Sequence, residues 1–203
     1  MKRCFLLMLM LAFSKLVFSQ RNDEKDHSFK RENIFMGGSV GLGLGNGSFS
    51  AGCNPEIGYS IAKWLDAGLI FNVNYYSFTA EANNGIRQRS FNYGGGMFVR
   101  IYPVDGFFIA AIPEYNIIKT KLKDIAYYGT GDEVKLSQEA PSLLLGIGYG
   151  GREIGEEGFY TMLAFDAGNN TNSPYIGSLG SKLPILRAGF NIYLHKRKKK
   201  SVL

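Results

Sequence analysis

Between residues 34 and 195, large apolar side chains recur at every second position in eight stretches of the chain. Near the end, Leu186, Ala188, Phe190, Ile192 and Leu194 form one row, and Arg187, Gly189, Asn191, Tyr193 and His195 form the other. Successive side chains of a strand point to opposite faces, so this period of two predicts a strand with one apolar and one polar face. The same alternation runs through seven earlier stretches. It predicts strands over residues 34–44, 48–61, 65–78, 90–103, 107–119, 141–151 and 158–168, with the last over 184–195. Asn46-Gly47 between the first two is a tight-hairpin signal. Pro55 removes a ladder donor in the middle of the second strand and predicts a bulge or kink there.

Eight strands joined in sequence predict an all-β fold, an eight-stranded antiparallel up-and-down transmembrane β-barrel. The connections after even-numbered strands are short. Those after odd-numbered strands are a tight turn and then three longer polar segments, 79–89, 120–140 and 169–183. Short turns on one side and long loops on the other are the habit of outer-membrane barrels. Alternation alone leaves the inner face open, and the polar face decides it. That face is mostly Gly, Ser and Asn with single charges, whereas a soluble exterior needs many charged side chains. An eight-stranded barrel has a narrow interior that takes the small polar row and leaves the bulky apolar row outside. Tyr59, Trp64, Phe107, Tyr149 and Phe159 fall near the short turns, and Phe49, Tyr75, Phe91 and Tyr115 near the long loops. Two such groups match the aromatic belts of a membrane barrel.

The first 19 residues read differently. Lys2 and Arg3 precede the apolar run of residues 5–13, and Val17-Phe18-Ser19 offers a cleavage site before Gln20. This is a secretory signal peptide. A polar lead-in, 20–33, separates it from the barrel, 34–195, and a basic tail, 196–203, follows. Cys53 is the one cysteine beyond the signal segment, which rules out an internal disulfide and a cysteine zinc cage in the mature chain. The net charge of +6 includes 3 cations in the signal segment and 5 in the tail, which leaves −2 for the rest. The basic balance therefore gives no reason to expect a nucleic-acid partner.

The signal segment, the glycine-rich first strand Met36-Gly37-Gly38-Ser39-Val40-Gly41-Leu42-Gly43 and the closing Arg187-Ala188-Gly189-Phe190-Asn191-Ile192-Tyr193-Leu194 together carry a family likeness. Over about residues 33–195 the chain resembles the small eight-stranded outer-membrane β-barrel family of the OmpA transmembrane-domain and OmpX type. More closely, it is similar to the outer-membrane β-barrel domain proteins common in Bacteroidetes. The resemblance implies an outer-membrane location and recognition of the last strand by the outer-membrane assembly machinery, with Arg187, Gly189, Ile192 and Leu194 at the signal positions. Family members usually end on an aromatic residue, whereas this chain continues from His195 into its basic tail.

Little in the sequence carries chemistry. His27 lies in the lead-in and His195 beside the tail, so neither is placed to serve as a base for a serine, and no catalytic, cofactor or metal residues are expected. Glu56, Arg100, Glu114, Asp166 and Arg187 fall on the polar row and form a candidate lumen charge network. Charges in a narrow interior must pair, and pairing of Arg100 or Arg187 with Glu56 or Glu114 is expected. The leading expectation is a monomeric outer-membrane barrel with a filled lumen. Its partners are outer-membrane lipids, and its surface recognition lies at loops 79–89, 120–140 and 169–183. A narrow porin-like channel for ions or small solutes is the alternative. A soluble lipocalin-like binder of a lipophilic ligand is the third.

Overall fold

The computed structural model describes residues 29–45, 47–83, 85–124, 133–168, 170, 172–175, 182 and 184–195. The expected signal segment, most of the lead-in and the basic tail lie outside the described residues. A 3-10 turn at Arg31–Asn33 leads into eight strands: β1 Ile34–Gly45, β2 Ser48–Ala62, β3 Leu65–Phe78, β4 Ile86–Val104, β5 Phe107–Asp124, β6 Glu133–Gly150, β7 Gly158–Asp166 and β8 Ile185–Tyr193. Each pairs antiparallel with the next, and β8 pairs with β1, so the sheet closes on itself as an up-and-down barrel. At the seam Phe35 opposes Tyr193 and Val40 opposes Ala188. The Leu194 amide donates to the Ile34 carbonyl beyond the last pair.

Followed from Ile34 through Tyr59, Ala67, Val99, Ala111, Leu145 and Phe165, the register returns to β1 about ten residues further along the strand. That stagger goes with strands inclined about 40° to the barrel axis. Among the described residues no helix is long and apolar enough to cross a membrane, which does not bear on a strand-built span.

Exposure alternates along the strands in the same sense all around the ring. Met36, Val40, Ile57, Leu69, Phe71, Val73, Met97, Ile109, Leu145, Ile147 and Phe165 are exposed on the outside. Ser39, Asn54, Glu56, Ser60, Asn72, Asn92, Asn116 and Ser142 are buried inside. A water-soluble barrel has the opposite arrangement. On the closing strand, Leu186, Phe190 and Ile192 face out while Arg187, Gly189 and Tyr193 face in.

The inner row is bulkier than a row of Gly, Ser and Asn. Phe35, Phe98, Phe108 and Tyr160 also point inward and are buried. Each lies directly across the ladder from a glycine: Phe35 from Gly58, Phe98 from Gly68, Phe108 from Gly148 and Tyr160 from Gly189. A Cβ added at Gly58 or Gly148 would lie 2.3 or 2.1 Å from the ring opposite. The glycines of the polar row are therefore the floor on which the rings lie, and the rings fill a lumen that small side chains would leave hollow.

The strands differ from the expectations in three respects. First, β5 and β6 run on to Asp124 and from Glu133, so most of the expected loop 120–140 is a paired hairpin, with Lys123 opposite Glu133. Likewise β4 begins at Ile86, inside the expected loop 79–89. The alternation stops there because both faces of the hairpin are wet, and every described side chain from Glu133 to Glu139 is exposed. Second, Pro55 produces no register shift. The β2–β3 ladder is paired at Cys53↔Val73 and again at Glu56↔Ile70 in unbroken register, and Pro55 itself sits opposite Gly38 of β1. Third, the register shifts fall at the turns instead, between Ser60 and Ala62 and between Ile101 and Val104.

Candidate functional site

The lumen is the candidate site, and its contents come from the inward row of every strand. Glu56 on β2 and Arg100 on β4 meet across the interior. Arg100 Nη1 donates to Glu56 Oε1 at 2.8 Å and Nη2 to Oε2 at 2.6 Å. Arg100 is 1% exposed and is the largest fully buried side chain. Its guanidinium also donates to the Tyr160 hydroxyl at 3.1 Å and lies 4.5 Å from the ring centroids of both Phe98 and Tyr160. With its amide turned to suit its neighbours, Asn191 donates to Glu56 Oε1 at 2.9 Å. A forked, charge-assisted pair stacked between rings is among the stronger polar contacts available to a side chain.

A second pair lies toward the long-loop end. Arg187 Nη2 donates to Glu114 Oε1 at 3.1 Å. The Tyr175 hydroxyl, from the segment between β7 and β8, donates to Glu114 Oε2 at 2.9 Å and accepts from Arg187 at 3.3 Å. Beside it, Asn72 donates to Asn116 Oδ1 at 3.2 Å. Thus the structure brings together Glu56 with Arg100 and Glu114 with Arg187. Asp166 stands apart from both arginines among these contacts. It accepts from the Leu143 amide at 3.0 Å, the Gly168 amide at 2.8 Å and the Ser173 hydroxyl. Its carboxylate caps a sheet end, fastening Gly168 and Ser173 to the mouth of the barrel. Ser173 also pairs with Ser142 at 3.1 Å, so two residues of the β7–β8 segment, Ser173 and Tyr175, reach into the interior.

A third ion pair closes the short-turn end. Arg152, in the turn after β6, donates through Nε to Asp66 Oδ2 at 2.9 Å and through Nη2 to Asp66 Oδ1. It also donates to the carbonyls of Ala62 and Lys63. Its guanidinium sits 4.3 Å from the Tyr102 ring centroid. Burial alone pulls this guanidinium down, but hydrogen bonding to Asp66 and the Asp66 charge outweigh it and hold the group above its ordinary value. Asp66 is a further charge on the inward polar row, at the start of β3, but nothing in the sequence points to its partner. Arg152 lies in a charged turn with no periodicity, and the pair spans 86 residues.

Taken together, three arginine–carboxylate pairs and a layer of aromatic rings occupy the interior. Phe35 packs on Phe98 and Tyr193 at centroid distances of 6.2 and 5.5 Å, and Phe108 on Tyr102 and Tyr160 at 5.5 and 5.9 Å. Ser60 and Tyr193 share a hydrogen bond of 2.9 Å beside them. No group of His, Cys, Asp and Glu among the described residues could hold a metal ion.

On the outside, Trp64, Phe107, Tyr149 and Phe159 are exposed near the short turns, with Phe107 and Tyr149 packed at 4.9 Å. Phe49, Phe91 and Tyr115 are exposed toward the other end. At about 3.3 Å per residue and a tilt of about 40°, β2 climbs about 25 Å from Tyr59 to Phe49, the height of the apolar band of a membrane barrel.

No family model and no curated protein matches this chain. Among solved structures it is similar to the crystal structure of Acinetobacter baumannii CarO2, with 14% identity and a TM-score of 0.43, over 79% of this chain and 98% of that one.

Proposed function

We propose that the protein is an integral outer-membrane barrel with a closed lumen, which anchors its long-loop end at the cell surface for structural or recognition purposes. One observation carries this reading: the strands present a continuous apolar row to the outside and keep their charged side chains, Glu56, Asp66, Arg100, Glu114, Asp166 and Arg187, inside. A closed barrel satisfies every ladder hydrogen bond internally, and its exposed apolar band is stable only in a lipid environment. The signal segment read from the sequence supplies the export that such a location needs. Membrane fractionation with heat-modifiable gel mobility tests the reading. The expected result is recovery in the outer-membrane fraction and a faster-running unheated band. Recovery as a soluble periplasmic protein without detergent would overturn it.

The filled interior favours a plug over a channel. Arg100, Glu56, Tyr160 and the rings of Phe35, Phe98 and Phe108 occupy the cross-section of a barrel that is narrow to begin with. The expected result in planar bilayers is no steady single-channel current. A reproducible open level would support the narrow channel instead. Any recognition then falls to the long-loop end, where β4, β5 and β6 extend beyond the last β6–β7 pair, Leu144↔Asp166.

A further inference from the structure

The outward face of β4, β5 and β6 changes character just past the aromatic residues of the long-loop end. Tyr93, Phe91, Arg89 and Arg87 follow one another along the outer row of β4, and Tyr115, Lys119, Lys121 and Lys123 along that of β5. Lys135 continues the row on β6. The register sets like charges directly opposite each other: Arg87 against Lys123, Arg89 against Lys121, and Lys121 against Lys135. All six cations are exposed. Like charges in directly opposed positions destabilise a sheet. Among the described side chains, Glu133, Glu139 and Glu81 are the acidic groups nearby, and Glu133 stands directly opposite Lys123. Glu133 contacts Lys121 at 3.5 Å and Lys135 at 3.8 Å, Glu139 accepts from the Tyr115 hydroxyl, and Glu81 lies in the turn near Arg87.

Height and direction identify what offsets this repulsion. The cations share the outer row with Phe91, Tyr93 and Tyr115, so they face the surroundings of the barrel and not its interior. Lys119 stands 5.3 Å from the Tyr93 ring centroid, which joins the two zones. At a tilt of about 40°, Arg89 lies about 5 Å above Phe91, within the headgroup layer of about 5–8 Å beside the hydrocarbon core, and Arg87 lies about 10 Å above Phe91, within a long side chain's reach of that layer. Guanidinium and ammonium groups spaced across neighbouring strands suit phosphate oxygens.

We infer that this ladder, Arg87, Arg89, Lys119, Lys121, Lys123 and Lys135, is a docking surface for phosphate-bearing lipid headgroups of the adjoining leaflet. The inference rests on the membrane reading above and adds a lipid preference to it. The full chain, reconstituted in phosphatidylcholine bilayers, is probed with spin-labelled phosphatidic acid and spin-labelled phosphatidylcholine, and the motionally restricted fraction of each is measured. The expected preference for phosphatidic acid is about threefold or more, falling toward one in R89Q/K121Q/K135Q and unchanged in K63Q at the opposite end. Insertion without any preference, or a preference that survives in R89Q/K121Q/K135Q or is lost in K63Q, overturns the docking surface alone. A chain that restricts neither lipid and shows no heat-modifiable band overturns the membrane reading, and the docking surface with it.

Discussion

The Glu56–Arg100 pair gives the most direct measure of how the interior holds the barrel together. Consider Glu56→Leu and Arg100→Met, singly and combined. Each single change leaves one buried charge without its partner. Glu56→Leu strips Arg100 of both forked hydrogen bonds and leaves it only the Tyr160 hydroxyl and the flanking rings. Removing one member of a buried pair costs about 3–5 kcal/mol. The double variant removes both charges and puts two apolar side chains of similar bulk next to Phe98, Phe108 and Tyr160. Such replacements are roughly neutral, so a cost of about 1 kcal/mol is expected, and the coupling energy exceeds about 2 kcal/mol. The assay is urea unfolding of the chain refolded into phosphatidylcholine vesicles. It is followed by the fluorescence of Trp64, the single tryptophan, and by heat-modifiable mobility. If Glu56→Leu costs less than about 1 kcal/mol, or if the double variant costs the sum of the singles, the two residues do not act as a buried pair and the reasoning fails.

Other expectations follow the same logic. Arg152→Ala leaves the buried Asp66 carboxylate without its guanidinium and should cost about 3 kcal/mol in the same unfolding assay, whereas the exposed Lys63→Gln should cost less than about 0.5. Gly68→Ala places a Cβ 2.2 Å from the Ile57 carbonyl oxygen and 2.6 Å from Gly58 Cα, so backbone must move and a loss of about 2 kcal/mol or more is expected. Gly41→Ala meets nothing within 4 Å and should fall within about 0.5 kcal/mol of the parent, with matched midpoints for the two variants refuting the steric account. Tyr175→Phe removes one donor to Glu114 and should cost about 1–2 kcal/mol, with faster backbone amide exchange at Asn172, Ser173 and residue 175 as its local signature.

The strands were legible because one face of each is apolar and the other polar, and a period of two is the direct imprint of that difference. Where the difference vanishes the imprint vanishes too. Residues 120–124 and 133–139 carry Lys121, Lys123, Glu133 and Lys135 on a hairpin that is wet on both faces, and they read as loop. The inward charges were legible one by one, since Glu56, Arg100, Glu114, Asp166 and Arg187 interrupt an otherwise small polar row. Which charge meets which depends on register and on the curvature of the closed wall, neither of which periodicity encodes. Asp66 illustrates this, since its partner lies in a turn. So does Asp166, which binds backbone amides and a serine hydroxyl at a sheet end. Tyr175 had no signal at all, because a loop residue turned back into the interior leaves no pattern in its neighbours.

The pairing of four inward rings, Phe35, Phe98, Phe108 and Tyr160, with glycines across the ladder bears on how the barrel is built as well as on how it is filled. A strand that slipped by two residues would keep its faces correct and its apolar row outside, so hydrophobicity alone would not reject it. The rings would. At the β7–β8 junction, a two-residue slip sets Tyr160 against Arg187 or Asn191 in place of Gly189, and at β1–β2 it sets Phe35 against Glu56 or Ser60 in place of Gly58. In either case the ring would meet a polar or charged side chain in the space that the opposing glycine now leaves to it. The four couples thus act as a proofreading device during closure, admitting one stagger among several that a bilayer would otherwise accept.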